Sequence, residues 1–144
     1  MKNISQNSPI PPLNTCQLES WGLIFVEGPD AASFLQNQLT NSILGMDRTH
    51  NPRLAKTYSA VRLVGYCNPK GRLIASAWVA LYSANENGDD RFALFISKDI
   101  AAAIAKRLSM YVLRSKVKVI DVSADWSVSG LSLIHISEPT RLLS

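Results

Sequence analysis

Apolar residues along the chain fall into short runs with two kinds of spacing, and these runs predict most of its architecture. Residues 21–26, Trp-Gly-Leu-Ile-Phe-Val, form a compact apolar segment that reads as a strand. Glu27-Gly28-Pro29-Asp30 stops it, because glycine and proline end extended pairing, and Asp30 is placed to cap a following helix. Ala31, Phe34, Leu35 and Leu39 then recur at helical spacing and give that helix one apolar face. The stretch 41–57, with Gly45, Asp47, Asn51 and Pro52, is polar and irregular and reads as a long connection, a kind of segment that often carries function.

Val61 to Cys67 and Arg72 to Tyr82 read as two strands of a hairpin. Asn68-Pro69-Lys70-Gly71 joins them, with proline fixing one φ and glycine tolerating a positive one. In the second strand Leu73, Ala75, Ala77, Val79 and Leu81 alternate with Ile74, Ser76, Trp78 and Tyr82, so one face is apolar and the other mixed. After a polar turn at 85–90, Phe92, Leu94 and Ile96 alternate as a further strand. Ser97 is placed to cap a helix striped by Ile100, Ile104 and Leu108. Val117, Val119 and Ile120 make a last strand, edged by Lys116 and Lys118. This order predicts an α+β fold, a ferredoxin-like layer of mainly antiparallel sheet with two helices on one face.

Residues 1–16 are polar and proline-rich and read as a flexible leader, with structure expected from Gln17. With 144 residues, 47% hydrophobic and 18% charged, the chain has the composition of one globular domain. It has neither the apolar run of a signal peptide nor about 18 consecutive apolar residues, so a cytoplasmic protein without membrane attachment is expected. Cys16 and Cys67 lie far apart without metal-ligand spacing and read as reduced thiols. The net charge of +4 is mild, but Lys106, Arg107, Arg114, Lys116 and Lys118 crowd one region. Such a region attracts anions or RNA, yet no aromatic stacking pattern accompanies it, which favours a solvated helix-and-strand face over direct nucleic-acid contact.

Enzyme motifs are absent: no phosphate-binding glycine loop, nucleophile elbow, zinc-protease helix or kinase set occurs. His50, in the polar connection, has no orienting partner in sequence, and Cys67 reads as a small buried strand residue. No catalytic residue and no metal ligand is assigned.

Three blocks carry more specific information: the run 21–41, Trp-Gly-Leu-Ile-Phe-Val-Glu-Gly-Pro-Asp-Ala-Ala-Ser-Phe-Leu-Gln-Asn-Gln-Leu-Thr-Asn; the run 65–73, Gly-Tyr-Cys-Asn-Pro-Lys-Gly-Arg-Leu; and the run 111–119, Tyr-Val-Leu-Arg-Ser-Lys-Val-Lys-Val. Together, and in this order, they resemble the N-terminal part of the folate-binding YgfZ family, relatives of the glycine-cleavage T protein. The resemblance covers about 17–130. It implies one layer of a multi-domain ring around a folate-sized channel, binding folate (tetrahydrofolate) and serving iron-sulfur proteins, including tRNA-modifying enzymes. The family's downstream Lys-Gly-Cys-Tyr-x-Gly-Gln motif is not in this chain.

Carried over by residue, Trp21 matches a family tryptophan assigned to folate, and an indole face suits a flat pterin. Read from the residues alone, Trp21 is better taken as a strand-start aromatic packing on the core, and it is the resemblance that turns the reading toward folate. Lys70 and Arg72 flank the hairpin turn and suit an anionic tail, although turn cations are often merely solvated. Tyr66 completes the candidate set. The T protein, an aminomethyltransferase, carries acidic residues shortly after the glycine pair of this hairpin. Ala75 and Ser76 stand there in this chain and cannot act as carboxylates, which argues for an accessory folate-binding role over aminomethyl transfer. From Leu131 the run Leu-Ser-Leu-Ile-His-Ile-Ser-Glu-Pro-Thr-Arg resembles one reading frame of the mosaic-end adapter of transposase-made sequencing libraries, so 131–144 is expected to be foreign to a truncated domain.

Overall fold

The computed structural model describes residues 15–46, 61–82 and 84–131. Its main sheet is built from β2 (Trp21–Glu27), β3 (Val61–Cys67), β4 (Leu73–Tyr82), β5 (Arg91–Ser97) and β6 (Lys118–Asp121), in the order β3-β4-β5-β2-β6 with every neighbour antiparallel. Two helices, α1 (Ala31–Gln38) and α2 (Lys98–Met110), follow β2 and β5. A separate two-stranded ribbon pairs β1 (Thr15–Gln17) with β7 (Ser129–Leu131).

Period-2 alternation decides what each strand buries. Ile24 and Val26 of β2 turn toward the helices and meet Leu94 and Ile96 of β5, Val79 and Ala77 of β4, and Phe34, Leu35, Ile104 and Leu108 of α1 and α2. Leu23 and Phe25 turn to the opposite side with Ala93 and Val122, where Tyr82, Phe95 and Trp126 also pack. Because β2 lies between β5 and β6 and is covered on both sides, residues 22–26 read as a continuous apolar run. Each fully buried Ile or Leu contributes about 1.5–3 kcal/mol through burial, and Ile24, Leu35, Leu94 and Leu108 are all below 3% exposure.

The α+β class and the antiparallel sheet agree with the sequence; the ferredoxin-like order does not hold in detail. β5 and β6 flank β2 and run parallel to each other with α2 between them, which is the split β-α-β half of such a layer. Three strands rather than two separate α1 from α2, so the edge strand β3 runs opposite to β2.

Local details also depart from expectation. Neither Asp30 nor Ser97 caps its helix through its side chain. The Asp30 carboxylate instead accepts the Lys116 backbone N–H at 2.8 Å, and the Ser97 hydroxyl donates to Asp99 at 2.6 Å. A register shift between Tyr66 and Cys67 pairs Cys67 with Leu73, and Leu73 is left 62% exposed despite its apolar parity. The start of the polar connection is core: Ile43 and Met46 are buried, and the Arg62 guanidinium clamps the Ser42 and Leu44 carbonyls at 2.8 Å each. β1 begins within the stretch read as leader, and Leu131 pairs with Thr15. His50, most of the leader and residues 132–144 lie outside the described residues.

Candidate functional site

The hairpin turn is organised by one side chain. Asn68 Oδ1 accepts the backbone N–H groups of Lys70 at 3.0 Å and Arg72 at 2.9 Å. Its own N–H donates to the Arg72 carbonyl, and Gly71 closes the turn at φ +83°. This fixes Lys70 and Arg72 as exposed cations at the hairpin tip.

Trp21 opens β2 opposite Ser97, the last residue of β5. Since β3 ends and β4 begins at the hairpin, and β5 ends beside them, Trp21 lies at the same end of the sheet as Lys70 and Arg72. Its alternation places it on the face of Leu23 and Phe25, away from the helices, where it is half-buried. Tyr66 is turned the other way. It is 5% exposed and packs in the helix-side core beside Leu39, Val64, Ala77, Ile104 and Leu108. Burial pushes its hydroxyl pKa upward, partly offset by the charge of Arg107 and a hydrogen bond from it. Trp21, Lys70 and Arg72 thus share one end of the sheet, and Tyr66 occupies the opposite face near that end.

Two residues not singled out as site residues in the sequence stand beside these. Trp78 is 40% exposed on the face of Trp21, in register with Leu63 on one side and Phe95 on the other. Leu63 and Ile74 on the same part of the sheet are also exposed, so a flat apolar surface extends over β3 and β4 toward the hairpin. Arg107, one of the basic cluster, is half-buried against Tyr66, whereas Lys106, Arg114, Lys116 and Lys118 are exposed. The available signals were Trp78's parity opposite Ala77, and Arg107's position three residues after Ile104, at the margin of the apolar stripe.

Ala75 is buried toward the helices and Ser76 is exposed on the other face, so neither position brings a carboxylate to the hairpin. Among the described residues no group of His, Cys, Asp and Glu is arranged to hold a metal ion, and no helix is long and apolar enough to cross a membrane.

No family model matches the chain. It is 30% identical over 109 residues, 74% of its length, to the mitochondrial iron-sulfur cluster assembly factor IBA57 homolog of Mycosarcoma maydis, covering 26% of that protein. Against the tRNA-modifying protein YgfZ of Buchnera aphidicola subsp. Schizaphis graminum it is 31% identical over 121 residues, covering 84% of this chain and 33% of that one. The YgfZ protein of Aliivibrio fischeri is 26% identical over 117 residues, 81% of this chain and 32% of that one. In structure, the glycine cleavage system aminomethyltransferase T of Bartonella henselae superposes with a TM-score of 0.55 at 21% identity, over 76% of this chain and 26% of that one. The chain spans about a quarter to a third of the length of the curated relatives it matches.

Proposed function

Because this chain belongs to the family of the YgfZ and IBA57 proteins, we propose that it is the N-terminal layer of a folate-binding accessory protein for iron-sulfur cluster assembly or repair and, through it, tRNA modification. The observation that carries this reading is the matching of both kinds of relative over about three quarters of the chain, together with Ala75 and Ser76 where the T protein is acidic. Residues 17–130 form this layer in a larger ring, working in the cytoplasm with iron-sulfur proteins as partners. Trp21 stacks on the pterin of tetrahydrofolate, and Lys70 and Arg72 supply cations at the same end of the sheet, whereas Tyr66, named with them from the sequence, is buried on the opposite face and stands apart from this surface. An indole and a pterin are both flat and polarisable, and a folate's carboxylates call for cations near the far end of the ligand. Trp78 extends the same surface.

Removing the gene and measuring an iron-sulfur-dependent tRNA modification tests the accessory role. Loss of the modification, restored by the wild-type gene, is expected, and unchanged modification contradicts it. Aminomethyl transfer of the T-protein type is the second reading, favoured only by the structural likeness. Turnover of the complete protein in a glycine-cleavage assay is the result that would establish it.

A further inference from the structure

The turn after α2 carries a residue that the fold does not explain. Among the described residues Leu113 is the one non-glycine with a positive φ, at +51°. A leucine there is strained where a glycine would not be, and such strain collects at sites that do something beyond folding. Burial does not offset it, because Leu113 is 83% exposed. Met110 and Tyr111 beside it are 63% and 39% exposed, so three large apolar side chains stand out close together in one turn.

Hydrogen bonds hold this turn in a fixed shape. The Tyr111 N–H donates to the Leu108 carbonyl at 3.0 Å and the Ser115 N–H to the Val112 carbonyl at 2.9 Å. The Lys116 N–H is tied to the Asp30 carboxylate at 2.8 Å. Leu113 borders an open hollow whose other lining residues are Asp30, Tyr111, Val112, Arg114 and Ser115. Positive charge surrounds the apolar tip. Lys106, one helical turn before Met110, and Arg114, Lys116 and Lys118 beyond it are exposed, and among the described residues no carboxylate forms an ion pair with any of them.

We propose that residues 110–116 form a docking surface for an acidic protein segment that carries an aliphatic side chain. Leu113 is the knob, the hollow receives the partner's aliphatic group, and the surrounding cations hold its carboxylates. Charge complementarity selects the acidic character of the partner and steers its approach. A protruding leucine beside a hollow selects a solid partner that interdigitates with it, since interface cores are packed as tightly as protein interiors. A fluid lipid surface offers no such knob, and RNA calls for flat stacking faces, of which Tyr111 supplies one here. The surface uses none of the residues assigned to folate, so it stands or falls separately from that reading.

The test titrates the full chain, labelled with ¹⁵N, with a capped peptide of glutamates around a central leucine pair, and with the same peptide carrying serines in place of the leucines. Saturable amide shifts confined to 110–116 and the neighbourhood of Asp30 are expected with the leucine peptide up to about 5 mM, a range that reaches millimolar binding. The serine peptide should bind about tenfold or more weaker. Leu113→Gly should weaken the leucine peptide by a similar factor, and Arg114→Glu should weaken it several-fold. Because glycine suits a positive φ, Leu113→Gly should melt no lower than the wild type, as expected of a leucine that serves the surface and not the fold. No saturable shift, equal binding of the two peptides, or equal binding by Leu113→Gly overturns the proposal. A lower melting temperature in Leu113→Gly also overturns it, because the leucine would then belong to the fold's own packing. Tighter binding of a single-stranded RNA or of phosphatidylserine vesicles, unchanged in Leu113→Gly, overturns it in favour of those partners.

Discussion

Gly28 offers the sharpest test of how the chain is held together. It sits between β2 and α1 at φ +134°, a region that L side chains rarely adopt. A Cβ built there would overlap the Lys116 carbonyl oxygen and lie 3.1 Å from Val117 Cα, both backbone atoms that cannot swing aside. Displacing Lys116 also disturbs its two bonds with Asp30, the N–H donated to the carboxylate at 2.8 Å and the carbonyl accepting the Asp30 N–H at 3.3 Å. Gly28→Ala should therefore combine a conformational cost of about 1–3 kcal/mol with an overpacking cost of about 1–3 kcal/mol. Gly71 provides the control: its φ is +83°, but no atom lies within 4 Å of a built Cβ. Gly71→Ala should cost only the conformational part, about 1 kcal/mol. Urea unfolding followed by tryptophan fluorescence reads both. At a slope of about 2 kcal/mol per molar, Gly28→Ala should move the midpoint down by about 1–3 M and Gly71→Ala by about 0.5 M. Equal midpoints for the two variants would refute the claim that the junction is packed against the 116–117 backbone.

Asn68→Ala should remove the acceptor of two turn N–H groups and cost about 1–2 kcal/mol, whereas Asn68→Asp should cost less, as thermal melts will show. Leu108→Ala, at a fully buried position under α2, should cost about 2–5 kcal/mol in the same melts. Tyr66 has a folded-state pKa above its ordinary 10.0, so the folded protein holds the proton more tightly than the unfolded chain does. The stability this brings is complete below about pH 10 and is lost as pH rises through the folded value. Unfolding curves between pH 8 and 11.5 should show a steeper alkaline decline for the wild type than for Tyr66→Phe, and parallel declines would contradict the assignment.

The strands and helices were legible because burial follows simple periods here: 2 in β4, where Ala75, Ala77 and Val79 are buried, and 3.6 in α2, where Ile104 and Leu108 are. The cap residues were misread because Asp30 and Ser97 have the right chemistry for capping but nearer partners, and those partners depend on tertiary contacts or a competing side chain. Leu73 escaped its parity because a single-residue register shift at Cys67 carries no sequence signal. The same reason governs the site. Trp21, Lys70 and Arg72 could be named from residue type, but that Tyr66 faces the helices, and that Arg107 meets it, follows from strand order and helix placement. Adding a third strand between the helices reversed β3 relative to the four-strand pattern, a consequence of topology rather than composition.

Whether Trp21 belongs to a tetrahydrofolate site is read by calorimetric titration of the intact protein with tetrahydrofolate, wild type beside Trp21→Ala. Saturable binding that weakens about tenfold or more in Trp21→Ala, with the melting temperature of the variant unchanged, is the predicted result. Absence of binding to the wild type, or equal affinity in the two proteins, would contradict it.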